Sequence, residues 1–135
     1  MSTPASGRAA RPDPVVGLDA CAERTVDPQR VAGARDRGLS PVDARRLAEL
    51  FRLLGDPNRV RMLYTLLEAG ELCVCDLAQA VEVQEASVSN ALRLLRTAGV
   101  VRNRRDGRKV YYRLDDSHVR LLLDLSAEHV RHSDG

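Results

Sequence analysis

Apolar positions along the chain fall into short periodic runs separated by Gly, Pro and Asp. Leu47, Leu50, Phe51 and Leu54 recur at i, i+3, i+4 and i+7, the stripe of an amphipathic helix. Ser40-Pro41 precedes this run as N-cap and first-turn proline, and Gly55 closes it. Asp56-Pro57 repeats the start signal for a second helix, with Val60, Leu63, Tyr64 and Leu67 inward and Gly70 at its end. A short third helix is expected from Val74 to Val81, and a fourth from Glu85 to Ala98, closed by Gly99. Two helices joined by so tight a turn suggest a helix-turn-helix. On the fourth, Val88, Ala91, Leu92 and Leu95 form the stripe to be buried, and Ala86, Ser89, Asn90, Arg93 and Thr97 the opposite face. Beyond Gly99 two extended runs, Val100–Arg105 and Arg108–Leu114, flank Asp106-Gly107, a strong two-residue hairpin signal. A last helical stretch runs from Asp116 to His132. Residues 1–39 sustain no period and hold four of the six prolines. They are expected to form a mostly disordered arm, ahead of a folded domain at 40–132 and a tail at 133–135.

A chain of 135 residues with 44% hydrophobic but only 3% aromatic content makes one domain with an aliphatic core. The net charge of +2 says little about partners; its distribution says more. Between Arg93 and Arg113 there are eight basic side chains and one acid, Asp106. A basic hairpin directly after a helix-turn-helix is a wing, whose cations meet phosphates and supply affinity more than sequence choice. Small polar groups plus arginine on the fourth helix suit a helix lying in the major groove. No apolar run approaches the ~20 residues needed to cross a bilayer, and the N-terminus shows no apolar signal core, so a cytoplasmic protein without a membrane partner is expected.

The three histidines, His118, His129 and His132, all lie in the last helical stretch. His118 and His129 fall within ~20° of each other around a helix, and His132 is one turn further on. Leu122 and Leu125 share their stripe, so the imidazoles are expected along an apolar seam. One metal cannot reach all three on a single helix, because eleven residues rise ~16 Å whereas Zn–N bonds are ~2 Å. Two copies packed antiparallel would place Asp116 and His118 of one beside His129 and His132 of the other. That set of four N/O donors suits tetrahedral Zn(II), and the spacing predicts a symmetric dimer with two equivalent sites. Cys73 and Cys75, separated by one residue, and Cys21 in the arm suggest reduced thiols or metal thiolates over a disulfide framework. Cysteines at the start of a helix are expected to have lowered thiol pKa values. A zinc enzyme fits poorly, since it needs an open position that the four donors already fill. A Cys73–Cys75 redox switch would be strained and would leave the histidines unexplained.

Leu54-Gly55-Asp56-Pro57-Asn58-Arg59, Glu71-Leu72-Cys73-Val74-Cys75-Asp76-Leu77, Ser87-Val88-Ser89, Gly107-Arg108 with Val110-Tyr111-Tyr112, Asp116-x-His118 and His129-x-x-His132 together resemble the ArsR/SmtB family of metal-sensing winged-helix repressors, in its zinc-sensing branch. The resemblance spans about Ser40 to His132. It implies a mainly α winged helix-turn-helix of five or six helices with one β-hairpin wing, dimerised through its first and last helices. It implies no enzyme, but a homodimer that binds double-stranded operator DNA and is released by Zn(II), or Co(II), held between the C-terminal helices by Asp116, His118, His129 and His132. By the same resemblance His129 donates its ring N–H to the Gly99 carbonyl. Residues expected against DNA are Ala86, Ser87, Ser89, Asn90 and Arg93 on the reading helix, and Arg102, Arg104, Arg105, Arg108 and Lys109 on the wing. A second site for a softer ion (Cd, Pb or As(III)) is implied at Cys73 and Cys75, with Cys21 from a partner's arm and Asp76 as an oxygen donor. The chain departs from the family pattern at the start of the reading helix, where Gln84 or Glu85 stands for the usual Ser or Thr cap, and at Asn90, where His is common.

Overall fold

The computed structural model describes residues 19–134. The expectations for residues 1–18 and for Gly135 lie outside the described residues. The chain divides into two units, Met1–Leu39 and Ser40–Gly135.

In the first unit a helix, α1 (Pro28–Arg37), forms where no regular structure was expected. Its cause is local: the Asp27 carboxylate accepts from the amides of Gln29 and Arg30 at 3.1 and 3.2 Å, and Pro28 sits in the first turn. None of its residues is buried, so no apolar period announced it.

The second unit runs α2 (Pro41–Leu54), α3 (Pro57–Ala69), β1 (Leu72–Cys73), α4 (Val74–Val81), α5 (Glu85–Thr97), β2 (Val101–Asp106), β3 (Lys109–Leu114) and α6 (Ser117–Asp134). Ser40 and Asp56 cap α2 and α3 as their sequence positions predict, each accepting from the third amide beyond at 3.1 Å. Gly70, at φ 85°, takes the reversal that ends α3. The α4 cap is unusual: Cys73 Sγ accepts the Asp76 amide at 3.5 Å, a thiol in the place of a hydroxyl. The α4–α5 turn opens on Glu82, which adopts a left-handed φ of 56°.

The hairpin is one edge of a three-stranded antiparallel sheet in the order β1-β3-β2, since Leu72 and Cys73 pair with Tyr112 and Tyr111. Its tip differs by one residue from the sequence expectation. Asp106 pairs with Lys109, so the loop residues are Gly107 and Arg108 and not Asp106-Gly107. Gly107 has φ 64° while Arg108 keeps a negative φ, which is the demand of a type II′ turn, with glycine first.

The core lies between α3, α4, α5 and the sheet. Met62, Leu63, Leu66, Leu77, Val81, Val88, Leu92, Leu95 and Val101 are each at most 1% exposed. Burial of each such side chain contributes ~1.5–3 kcal/mol, and this packing holds α5 at a fixed angle to α4. The α5 stripe predicted from sequence is the buried one. The flanking helices behave differently. α2 buries no residue, and Phe51, in its predicted stripe, is 55% exposed. On α6, Leu123 alone among the described residues is buried, while Leu121, Leu125 and Val130 are 56–60% exposed. Between α2, α3 and α6 lies an apolar cavity of about 690 Å³, lined by Phe51, Leu54, Tyr64, Leu122 and Val130 among others. Apolar faces left open on the first and last helices of the unit are what a dimer through those helices requires.

Candidate nucleic-acid interface and metal centre

α5 turns its apolar row inward, so Ala86, Ser87, Ser89, Asn90 and Arg93 all emerge on the exposed side. Arg93 Nη2 donates to Asn90 Oδ1 one turn earlier, presenting amide and guanidinium as one unit with donors still free for a base edge. No side chain caps α5: Gln84 stands at the N-cap, its carbonyl accepting the Val88 amide but its side chain making no cap bond. Glu85 faces Cys75 on α4, across a small polar pocket that both line.

The wing cations do not form one free set. Arg102 Nε donates to Asp115 at 3.0 Å. Arg104 is more fully engaged, with Nε and Nη2 donating to the two carboxylate oxygens of Glu71 at 3.0 and 2.6 Å. Its guanidinium carbon lies 4.6 Å from the centre of the Tyr111 ring, and Nη1 is 3.9 Å from Asp106. That guanidinium is half exposed but engaged by other groups of the protein. Among the described residues Arg105, Arg108 and Lys109 make no ion pair, and all three are exposed. Sequence reasoning grouped all five by charge and missed Glu71, whose role depends on a contact 33 residues away.

At the C-terminal helix the carboxylate of Asp116 accepts the amides of His118 and Val119 at 3.0 and 3.1 Å through Oδ1. It therefore caps α6, a role the metal reading of this residue did not anticipate. The Val119 amide, and then the charge and hydrogen bonding of His118, hold this carboxyl below the usual carboxylate range. Its other oxygen lies 3.6 Å from His118 Nδ1. His129 and His132 sit one turn apart near the other end, His132 with Nε2 3.7 Å from Glu128. In the protomer these rings are exposed, not sealed in a seam, because α6 docks through Val119, Leu123 and Ala127 and turns its histidine row outward. No hydrogen bond joins the His129 ring to Gly99 among the described residues. Instead, Tyr64 on α3 donates its hydroxyl to the Leu123 carbonyl in the middle of α6.

Among the described residues no three His, Cys, Asp or Glu side chains come together in one protomer. Of the cysteines, Cys73 is buried beneath its capping bond, while Cys75 and Cys21 are exposed. The Glu85 carboxylate, ahead of desolvation, pushes the Cys75 thiol above its ordinary value. The direction is opposite to the lowering expected from the helix N-terminus, and a neighbouring carboxylate is its first cause.

The family model described as "Bacterial regulatory protein, arsR family" matches residues 56–103, from the start of α3 into the wing. A transcriptional repressor SmtB homolog of Synechocystis is 42% identical over 84% of this chain and 86% of that protein. A cadmium resistance regulatory protein CadC homolog of Staphylococcus aureus is 42% identical over 68% of this chain and 74% of its own. Among solved structures, the antimony-specific repressor AntR superposes with a TM-score of 0.66 at 32% identity, over 85% of this chain and 98% of that one. A homodimeric winged helix-turn-helix domain from Mycobacterium bovis superposes at 0.62 with 27% identity, over 70% and 89%. Identity at this level over most of both chains, together with the reading helix, the wing and the shared fold, shows that the chain belongs to the ArsR family, as a metal-responsive winged-helix repressor that binds operator DNA as a homodimer.

Proposed function

We propose that this repressor is zinc-responsive: it holds its operator in the absence of metal and leaves it when Zn(II), or Co(II), binds between the C-terminal helices. The observation that carries this reading is the distribution of donors along α6. Asp116 and His118 stand at one end of an exposed face and His129 and His132 at the other, with Leu125 open between them. Two copies of that face, antiparallel, bring together Asp116 and His118 of one protomer with His129 and His132 of the partner subunit, twice per dimer. Three imidazoles and a carboxylate suit a borderline ion of tetrahedral preference. A bound Zn(II) supplies a bridge between the two helices that the apo dimer lacks.

The chain's own residues supply the route from that bridge to DNA. Tyr64 ties α6 to α3 through the Leu123 carbonyl, and α3, α4 and α5 share one core. Asp115 donates its amide to the Val100 carbonyl, fastening the start of α6 to the strand that follows the reading helix. The angle between the two α6 helices therefore bears on the spacing of the two α5 helices, which must match half-sites about one DNA turn apart. Operator DNA places the protein in the cytoplasm. On the DNA side we assign Ala86, Ser87, Ser89, Asn90 and Arg93 to the groove, and Arg105, Arg108 and Lys109 to phosphates.

The test is DNA binding by wild type and His129→Ala with and without Zn, Co, Ni, Cd and Pb. Zinc should release the wild type and leave His129→Ala bound; equal release of both would end the zinc reading. Similarity to a cadmium resistance regulator favours a second reading, in which Cys73, Cys75, Asp76 and a partner's arm cysteine, Cys21, take a soft ion. Under it Cd or Pb gives a thiolate-to-metal ultraviolet band that Cys73→Ser abolishes.

A further inference from the structure

Glu71 precedes β1, and its partner Arg104 lies on β2, at the far side of the sheet. The register explains how they meet. Arg104 pairs with Tyr111 on the central strand, and Tyr111 pairs on its other side with Cys73. Paired residues share a face, so the arginine reaches across the Tyr111 ring to the chain entering β1. The fork of two N–H groups on two carboxylate oxygens fixes orientation as well as distance. The aromatic face beneath restrains the guanidinium plane. The other ties of β2 lie nearer the base of the hairpin, at buried Val101, at Arg102 on Asp115 and at Asn103 on the Tyr112 hydroxyl, so the Glu71–Arg104 contact is the one that restrains the outer part of this edge strand toward β1.

We propose that Glu71 is a positioning residue for DNA binding: its carboxylate grips Arg104 across the central strand and so sets the angle at which the wing offers Arg105, Arg108 and Lys109 to phosphates. The proposal rests on the wing lying against DNA, as assigned above, and is independent of the metal. Arg104, by the same geometry, acts through Glu71 and not through DNA.

Charge alone makes the opposite prediction, which gives the test its edge. An acid beside a polyanion should weaken binding, so in the purely electrostatic case Glu71→Gln tightens DNA binding, Arg104→Ala loosens it, and the double variant returns to wild type. Under the grip all three variants bind less tightly than wild type, by about three- to fivefold, the scale of a half-exposed pair. The double variant is then no worse than either single one. The measurement is fluorescence anisotropy of a labelled mixed-sequence 30-base-pair duplex over a range of salt, with Arg108→Ala as reference. Arg108→Ala should lower affinity and reduce the salt slope by about one counterion. Thermal midpoints should stay together, since an exposed ion pair carries little stability. Tighter or unchanged binding by Glu71→Gln, or a double variant restored to wild type, would overturn the proposal. An Arg108→Ala variant with wild-type affinity and slope would remove the wing from DNA and take the proposal with it, leaving the zinc reading standing.

Discussion

Asp116 caps α6, and in the proposed zinc site the same carboxylate is also a ligand; the two roles are separable by substitution. One oxygen caps α6 through the amides of His118 and Val119; the other is turned toward His118. Asparagine caps helices about as well as aspartate but carries no charge. Asp116→Asn should therefore keep the thermal midpoint of the apo protein while weakening zinc by an order of magnitude or more. Asp116→Ala should lose the metal and ~1 kcal/mol of stability as well. Calorimetric titration with zinc and thermal unfolding without it check the pair; a metal affinity unchanged in both variants would take Asp116 out of the ligand set. Single residues were legible where chemistry is local. Ser40, Asp56 and the glycines announced helix ends because a cap reaches only three residues. Cys73 as a cap, Glu85 acting on Cys75 and Glu71 on Arg104 were not legible, because each depends on a neighbour that only the fold supplies.

Helices with a buried row were readable from their period, and α5 is the clearest case: Val88, Leu92 and Leu95 are fully buried as patterned. β1 was missed because two residues carry no period and exist as a strand only through β3. α2 and α6 have equally good stripes, yet in the protomer they are covered only in part: Leu50 and Leu54 pack against the core while Leu47, Phe51 and Leu125 stay exposed; periodicity says that a face is apolar, not which chain covers it. Between the two open helices and the core stands Tyr64, half-buried, its hydroxyl on the Leu123 carbonyl. Tyr64→Phe keeps the ring and removes that bond, at ~0.5–1.5 kcal/mol. The variant should bind zinc and bind DNA without zinc much as wild type does, yet lose less DNA affinity when zinc is added. Measured separately, the two affinities and their coupling must obey linkage. An undiminished coupling would mean that α6 communicates through the Asp115–Val100 junction alone.

At the scale of the whole molecule, the open faces of α2 and α6 tie dimerisation to DNA binding, while the core of each protomer is its own. Leu125 is exposed in the protomer and central on α6. Leu125→Glu should leave the monomer folded, because no buried contact is lost, but weaken the dimer at least tenfold by opposing like charges across the two-fold axis. Sedimentation at micromolar concentration and the loss of operator binding would report it; an unaltered dimer would move the interface elsewhere. The outward histidine row has a different consequence. None of the three histidines on α6 is buried, so exchanging one for cysteine or glutamate costs the fold little. The core that fixes the reading helix is drawn from other residues entirely. If these histidines hold the metal as proposed, a lineage can change the ion it answers to by point mutation while keeping the operator it recognises, and an engineer can do the same without rebuilding the protein.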